Sequence, residues 1–148
     1  MSGLTTVEIC AGAGGQALGL EQAGFEPVAL VEIDKACRQT LHHNRPTWNI
    51  LESEQADVRL FKGTTYKGVD LLAGGVPCPP FSQAGKQLGQ SDERDLFPEA
   101  IRLAKECQPR AVMLENVRGF LDQRFDAYRT NLRKQLEDLG YMVDWRLL

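Results

Sequence analysis

A run of apolar and β-branched residues, Leu4 to Ile9, passes directly into Cys10-Ala11-Gly12-Ala13-Gly14-Gly15, and helix-forming residues from Gln16 to Ala23 follow. A strand, a glycine turn and a helix in immediate succession restrict the fold more than any other feature of the chain. Glycine accepts positive φ and lets a ligand approach the backbone closely, and the helix behind it offers N–H groups without intrahelical partners. The segment reads as the opening of an α/β domain with a ligand-binding turn at the carboxyl end of its first strand.

The pattern then repeats. Gly24 punctuates the first helix, and Pro27 to Val31 predicts a strand ending in Glu32-Ile33-Asp34. Asp34 suits the N-cap of a helix from Lys35 to about His43, stopped by Asn44-Arg45-Pro46. Thr47 to Lys67 is the least regular stretch, with a short strand expected at Ala56-Asp57-Val58. Val69 to Leu72 predicts the central strand. Asp95 is expected to cap a helix over Leu96 to Cys107, and the very apolar Ala111 to Leu114 reads as a strand ending in Glu115-Asn116-Val117. Phe125 to Leu139 has Phe125, Tyr128, Leu132 and Leu136 at helical core spacing, and Tyr141 to Leu148 reads as one more strand. Strands alternating with helices call for right-handed parallel crossovers, hence an open doubly wound, mostly parallel α/β sheet.

The 148 residues suit one domain, and an apolar fraction of 43% with 25% charged residues is that of a soluble globular protein. A formal net charge of −3 supplies no general basic field, so contact with nucleic acid must be local or come from elsewhere. Cys10, Cys37, Cys78 and Cys107 are scattered without a Cys-x-x-Cys pair, which argues against a zinc site or a disulfide framework and for a reducing, cytoplasmic compartment. His42-His43 are adjacent, so they do not share a helix face and no metal site is expected. Neither a leader nor a membrane span is read from the sequence.

The chemistry concentrates after the central strand. In Gly74-Gly75-Val76-Pro77-Cys78-Pro79-Pro80-Phe81-Ser82 a cysteine sits between prolines at a strand's carboxyl end, where backbone restriction fixes the direction of the sulfur. Such preorganisation suits a nucleophile. Read alone, Cys78 is equally a small buried hydrophobe, the usual state of a free cysteine. The polar segment Gln83 to Arg94 reads as a long surface loop placed to close over the site. Glu32 and Glu115 are carboxylates at strand tips, and Asp57 is either a turn cap or a ligand contact.

Gly12-Ala13-Gly14-Gly15-Gln16-Ala17 satisfies G-x-G-x-x-G/A, with Glu32 twenty positions after Gly12. That arrangement suits a dinucleotide and equally another adenosine ligand, S-adenosylmethionine (SAM). The ordered set Ala11 to Gly15, Val31-Glu32, Asp57-Val58, Gly75 to Ser82, Arg94-Asp95-Leu96-Phe97 and Glu115-Asn116-Val117 resembles the DNA (cytosine-5)-methyltransferases. Pro-Cys-x-x-Phe-Ser followed by Glu-Asn-Val is far more selective than a glycine loop. The match spans nearly the whole chain and resembles only the amino-terminal part of such a catalytic domain.

The resemblance implies a Rossmann-like, SAM-dependent fold in which Ala11, Gly12, Ala13, Gly14 and Gly15 lie against the methionine part of SAM and Glu32 binds the ribose hydroxyls. It further implies that Ile33 packs on the adenine, that Asp57 accepts from the adenine amine with Val58 beside it, and that Pro77 and Leu96 lie at the cofactor. Cys78 becomes the nucleophile and Glu115 its acidic partner. Cys10 stands where the family usually has Phe, Ala56 where Gly is common, and Pro79-Pro80 where Gln and another residue are frequent.

These assignments are chemically coherent. A thiolate adding to carbon 6 of cytosine turns the poorly nucleophilic carbon 5 into an enamine carbon, and a carboxyl group at ring nitrogen 3 stabilises the charge created. The target base must leave the duplex to be reached. The family's later arginine-bearing motif, target-recognition region and final cofactor motif have no counterpart by Leu148. The expectation is a fold incomplete at its carboxyl-terminal end, acting on double-stranded DNA with a second polypeptide or a missing half, in a restriction-modification setting. An inactive SAM-binding or protein-interaction module and an NAD-linked oxidoreductase are the alternatives.

Overall fold

The computed structural model of the chain describes residues 3–77 and 95–148. Four parallel strands form one sheet: β1 (Leu4–Ile9), β2 (Phe25–Val31), β3 (Leu71–Gly74) and β4 (Ala111–Leu114), in the order β2-β1-β3-β4. Four helices connect or flank them: α1 (Gly15–Gln22), α2 (Lys35–Asn44), α3 (Phe97–Cys107) and α4 (Asp126–Asp138). From β1 the chain moves outward to β2, then returns past β1 to β3. That reversal leaves a crevice at the carboxyl ends of β1 and β3, where open α/β sheets bind ligands.

The two faces of the sheet are buried unequally. Val7, Ile9, Ala29, Val31 and Leu72 face the larger core, filled by Phe97, Leu103 and Cys107 of α3 and Leu132 and Leu136 of α4. Phe97 stacks on Phe120 with centroids 5.1 Å apart, and Trp145 meets Phe120 edge-on at 5.7 Å. On the opposite face, Leu30 joins Ala17, Leu41, Trp48 and Ile50, while Leu71 and Ala73 meet Leu20 of α1. Met113 of β4 is level with Ala73 in the ladder and therefore points to this second face, where it stays exposed.

The expected α/β order is present, and the departures have local causes. Asp34 caps α2 as anticipated, accepting from the Cys37 N–H at 2.8 Å. β3 begins at Leu71 instead of Val69, because the Val69 N–H turns back to the Tyr66 carbonyl and the Asp70 carboxylate takes the Thr5 N–H at 2.8 Å. α3 starts at Phe97, one residue late, with the Asp95 carboxylate accepting from the Phe97 N–H at 3.0 Å.

Ala56-Asp57-Val58 is not a strand. A short 3-10 helix, Ser53–Ala56, ends there, and the Asp57 carbonyl accepts from Leu60 and Phe61 in a turn. The edge of β2 is met one turn earlier, by an isolated bridge from Leu30 to Ile50. The segment is tied down from α3 instead: Arg102 donates to the Val58 carbonyl at 2.8 Å and to the Phe61 carbonyl at 3.2 Å.

Tyr141 to Leu148 is not a strand either. Alternation does bring Tyr141, Val143 and Trp145 onto the core. Its anchors include side chains, such as the Tyr141 hydroxyl donating to the Pro109 carbonyl at 2.7 Å, and among the described residues β4 has a ladder with β3 alone. Alternation fixes which face a segment buries; a strand also needs a paired backbone.

Candidate functional site

The turn after β1 is built on positive φ. Cys10, Gly12 and Gly14 have φ of 52°, 56° and 93°. At Gly14 the need for glycine is double, because a Cβ there would lie 2.5 Å from Leu41 Cδ2 of α2. At Gly12 the backbone alone demands it, since nothing lies within 4 Å of the missing Cβ. That open side is a place where a ligand can approach the main chain.

Glu32 is the hinge of the site. It is 9% exposed, its Oε2 accepts from the Gly12 N–H at 2.7 Å, and its Oε1 accepts from the Asp34 N–H at 2.7 Å. Arg38 of α2 holds the same strand tip by donating to the carbonyls of Glu32 at 2.9 Å and Ile33 at 2.7 Å. Arg38 was not among the expected site residues. Its place one turn into α2, four residues after the N-cap, was the available signal.

Beside this tip lies a cavity of about 370 Å³. Glu32, Ile33, Asp57, Val58, Pro77 and Leu96, all expected at the site, line it together. Val31, Cys10, Ala56, Arg59 and Gly75 complete the wall. Ala11 and Gly12 to Gly15 do not line this space; Ala11 is buried in the smaller core, and Gly12 reaches the cavity through its bond to Glu32. Ala13 and Gly14 border a separate recess of about 230 Å³ with Leu18, Arg45 and Trp48.

The charges in the cavity are ordered. Arg59 grips Asp57, with Nε 3.0 Å from Oδ1 and Nη2 2.8 Å from Oδ2, and the Arg59 N–H also donates to Oδ1 at 3.0 Å. These bonds hold the Asp57 carboxyl below its ordinary range. Arg59 was not anticipated, although its position two residues after Asp57 permits such a ring. The Cys10 thiol is pushed up to about 12, first by burial and then by the Glu32 and Asp57 carboxylates. It is a neutral wall group.

β3 and β4 end side by side. The Glu115 N–H donates to the Gly74 carbonyl at 2.8 Å, and Asn116 Nδ2 donates to the Val76 carbonyl at 2.8 Å. A Cβ on Gly75 would lie 3.4 Å from Glu115 Oε2, so the carboxylate rests against the start of the segment leading to Pro77. Cys78 follows directly but lies outside the described residues, as do Phe81, Ser82 and the expected lid from Gln83 to Arg94. Among the described residues no group of three His, Cys, Asp or Glu side chains is placed to hold a metal ion. No helix among them is long and apolar enough to cross a membrane.

The profile of the C-5 cytosine-specific DNA methylases matches residues 4–148. The chain belongs to this family. It is 66% identical over 144 residues to the type II methyltransferase M.NgoMIV of Neisseria gonorrhoeae, covering 97% of this chain and 45% of that protein. It is 52% identical over 148 residues to M.NaeI of Lentzea aerocolonigenes, covering all of this chain and 36% of that one. A crystal structure of a DNMT2 mutant from Spodoptera frugiperda superposes with a TM-score of 0.66 at 25% identity, covering 94% of this chain and 42% of that one. The chain thus spans less than half the length of these relatives. Family membership favours a methylase over the nicotinamide enzyme that the glycine turn alone allowed.

Proposed function

We propose that residues 1–148 form the SAM-binding, nucleophile-bearing part of a DNA (cytosine-5)-methyltransferase of a type II restriction-modification system. The observation that carries this reading is the meeting of two strand tips: Glu115 rests against Gly75, and Gly75 and Pro77, the latter next to Cys78 in sequence, line the same cavity as Glu32 and Asp57.

The cavity fits SAM. Glu32 and Asp57 offer carboxylate oxygens beside an apolar lining of Val31, Ile33, Val58 and Leu96. Glu32 uses one acceptor position on each oxygen for backbone N–H groups, and a carboxylate has further positions for ribose hydroxyls. Asp57 is the acceptor for an adenine amine, Ile33 and Leu96 flank the ring, and the open side of Gly12 faces the methionine portion. When bound, SAM supplies an electrophilic methyl group.

The Cys78 thiolate adds to carbon 6 of a flipped-out cytosine. The Glu115 carboxyl donates a proton in a hydrogen bond to ring nitrogen 3, which keeps negative charge from building up on the ring as the thiolate adds. Carbon 5, made nucleophilic by that addition, takes the methyl group, and loss of its proton with elimination of the thiolate then releases Cys78. Readout of the target sequence belongs to the complementary part of the protein, in keeping with the net charge of −3 here. The four cysteines and the family's setting support a cytoplasmic location.

The test is covalent trapping on double-stranded DNA containing 5-fluorocytosine, with SAM and the complementary portion of the M.NgoMIV relative supplied. A stable adduct that disappears in Cys78→Ala is expected. An adduct that persists in that variant, or no adduct with the unsubstituted chain, overturns the assignment. The 148 residues alone are expected to methylate no DNA.

A further inference from the structure

Glu8 is the next-to-last residue of β1 and is 1% exposed. Its ladder partners are Leu30 of β2 and Ala73 of β3, so the carboxyl lies between two apolar patches on the α1 side of the sheet. The Ala17 N–H in the first turn of α1 favours its charged form. One of its oxygens, Oε2, is buried and has no hydrogen-bond partner. Among the described residues one further buried side-chain acceptor is equally orphaned: Oε1 of Gln16, the residue preceding Ala17.

Glu8 lies under the start of α1, since Ala17 clusters with Leu30 and Leu20 with Ala73, its two ladder partners, and an unpaired buried acceptor there carries the full cost of desolvation. We infer that Glu8 is a positioning residue for the glycine turn: as a neutral carboxylic acid it accepts the Ala17 N–H and donates its own proton to the Gln16 amide oxygen. This two-point clamp fixes the first turn of α1, and with it Gly14 and Gly15 at the entrance to the helix.

The surroundings favour the neutral form. Burial pushes the Glu8 carboxyl up from 4.5 to about 7, with the Ala17 N–H opposing. Among the described residues no charge faces it from the packed elements: α1 turns Ala17 and Leu20 toward the sheet, β2 and β3 present Leu30 and Ala73, and Glu26 lies at the exposed start of β2. The one charged residue of α1, Glu21, is engaged by Arg45 at 3.1 Å and Trp48 at 2.9 Å. An acid whose folded value is raised stabilises the fold fully below its unfolded value of 4.5, and that stability is lost as pH rises to about 7.

Three measurements on the 148-residue chain test the clamp. The side-chain carboxyl carbon of Glu8, followed by carbon-13 NMR, is expected to titrate near neutrality; titration among the ordinary carboxylates overturns the inference. Gln16→Leu removes the acceptor of the proton and is expected to move that titration toward acid, and an unchanged titration overturns the clamp. Glu8→Gln reproduces the neutral acid, with one acceptor and one donor. Its folding equilibrium constant is expected to lack the decline, roughly tenfold per pH unit between about 5 and 7, that the unsubstituted chain shows. Equal pH slopes in the two proteins overturn it.

The positioning role is read from amide exchange at Gly14 to Ala17. Exchange in the unsubstituted chain is expected to outrun that in Glu8→Gln above neutral pH and to match it below; equal exchange throughout overturns the role. None of these readouts requires a cofactor. A SAM titration at pH 6 and pH 8 then separates the two proposals, since absence of binding at both values defeats the cofactor reading and leaves the clamp standing.

Discussion

The Glu32 carboxylate accepts the Gly12 N–H at 2.7 Å across twenty residues of chain, which makes the tip of β2 and the turn after β1 one hydrogen-bonded unit. Glu32 also holds the Asp34 N–H, so it positions the entry to α2 as well. A residue that shapes the backbone of a site and faces its cavity serves structure and binding together, and substitution should separate the two.

Glu32→Gln keeps the shape and one acceptor oxygen but turns an NH2 group toward a backbone N–H. The variant should lose about 1–3 kcal/mol of stability, the cost of a buried donor left without an acceptor. Chemical denaturation measures that loss. SAM affinity is expected to fall by at least tenfold, since the amide is also a poorer acceptor for ribose hydroxyls. Loss of stability with unchanged affinity would make Glu32 purely structural.

Gly12 and Gly14 should answer differently to alanine. At Gly14 the left-handed backbone and the contact with Leu41 act together, giving a destabilisation of about 2–4 kcal/mol. At Gly12 the missing Cβ meets nothing, so only the backbone cost of about 1–2 kcal/mol remains. Thermal unfolding ranks the two. If SAM runs along the open side of Gly12, Gly12→Ala should weaken binding more than its small stability cost implies.

The described thiols should be sluggish toward alkylation. Cys10 is pushed up to about 12 and Cys107 to about 11, both mainly by burial, and Cys37 is raised in the same direction by the same cause. The thiolate is the reactive form, so little of it is present at pH 8. Peptide mapping by mass spectrometry after brief iodoacetamide treatment should find Cys10 and Cys107 unmodified. Rapid modification of Cys10 would show that its cavity is wetter and less acidic in charge than the geometry indicates.

Much of this site was legible in the chain because its parts are local. Strand, glycine turn and helix are adjacent in sequence, and β1 and β4 fall on the expected residues. The acid at the end of β2 lies at the spacing that one α/β turn imposes. Ala56-Asp57-Val58 looks like a short strand in sequence but forms a turn. What places them is the grip of Arg102 on the Val58 and Phe61 carbonyls, a contact across 44 and 41 residues that local pattern does not encode. Tyr141 to Leu148 shows the converse case. Its alternation correctly gives the buried face, whereas ladder formation depends on a neighbouring backbone. The burial of Glu8 leaves no local signal, because a carboxylate inside an apolar strand has the same sequence signature as a solvent-facing one.

Asp57 and Arg59 give the sharpest test of the cavity's electrostatics. Hydrogen bonds from the Arg59 side chain come first among the causes that lower the Asp57 carboxyl, so the stability they confer is present above the ordinary value of 3.8 and is lost as pH falls through the lower folded value. Arg59→Met keeps the length of the side chain and removes the charge. The carboxyl carbon of Asp57 should then titrate closer to 3.8, and acid unfolding should begin at higher pH. The consequence for SAM is separable, because Asp57 needs only one free lone pair to accept an adenine amine and Arg59 leaves its oxygens that capacity. If Arg59 merely orients the carboxylate, Arg59→Met should weaken SAM and its demethylated product equally. A selective loss of one of the two would instead place the guanidinium within reach of the sulfonium end of the ligand, and the adenine assignment of Asp57 would fall.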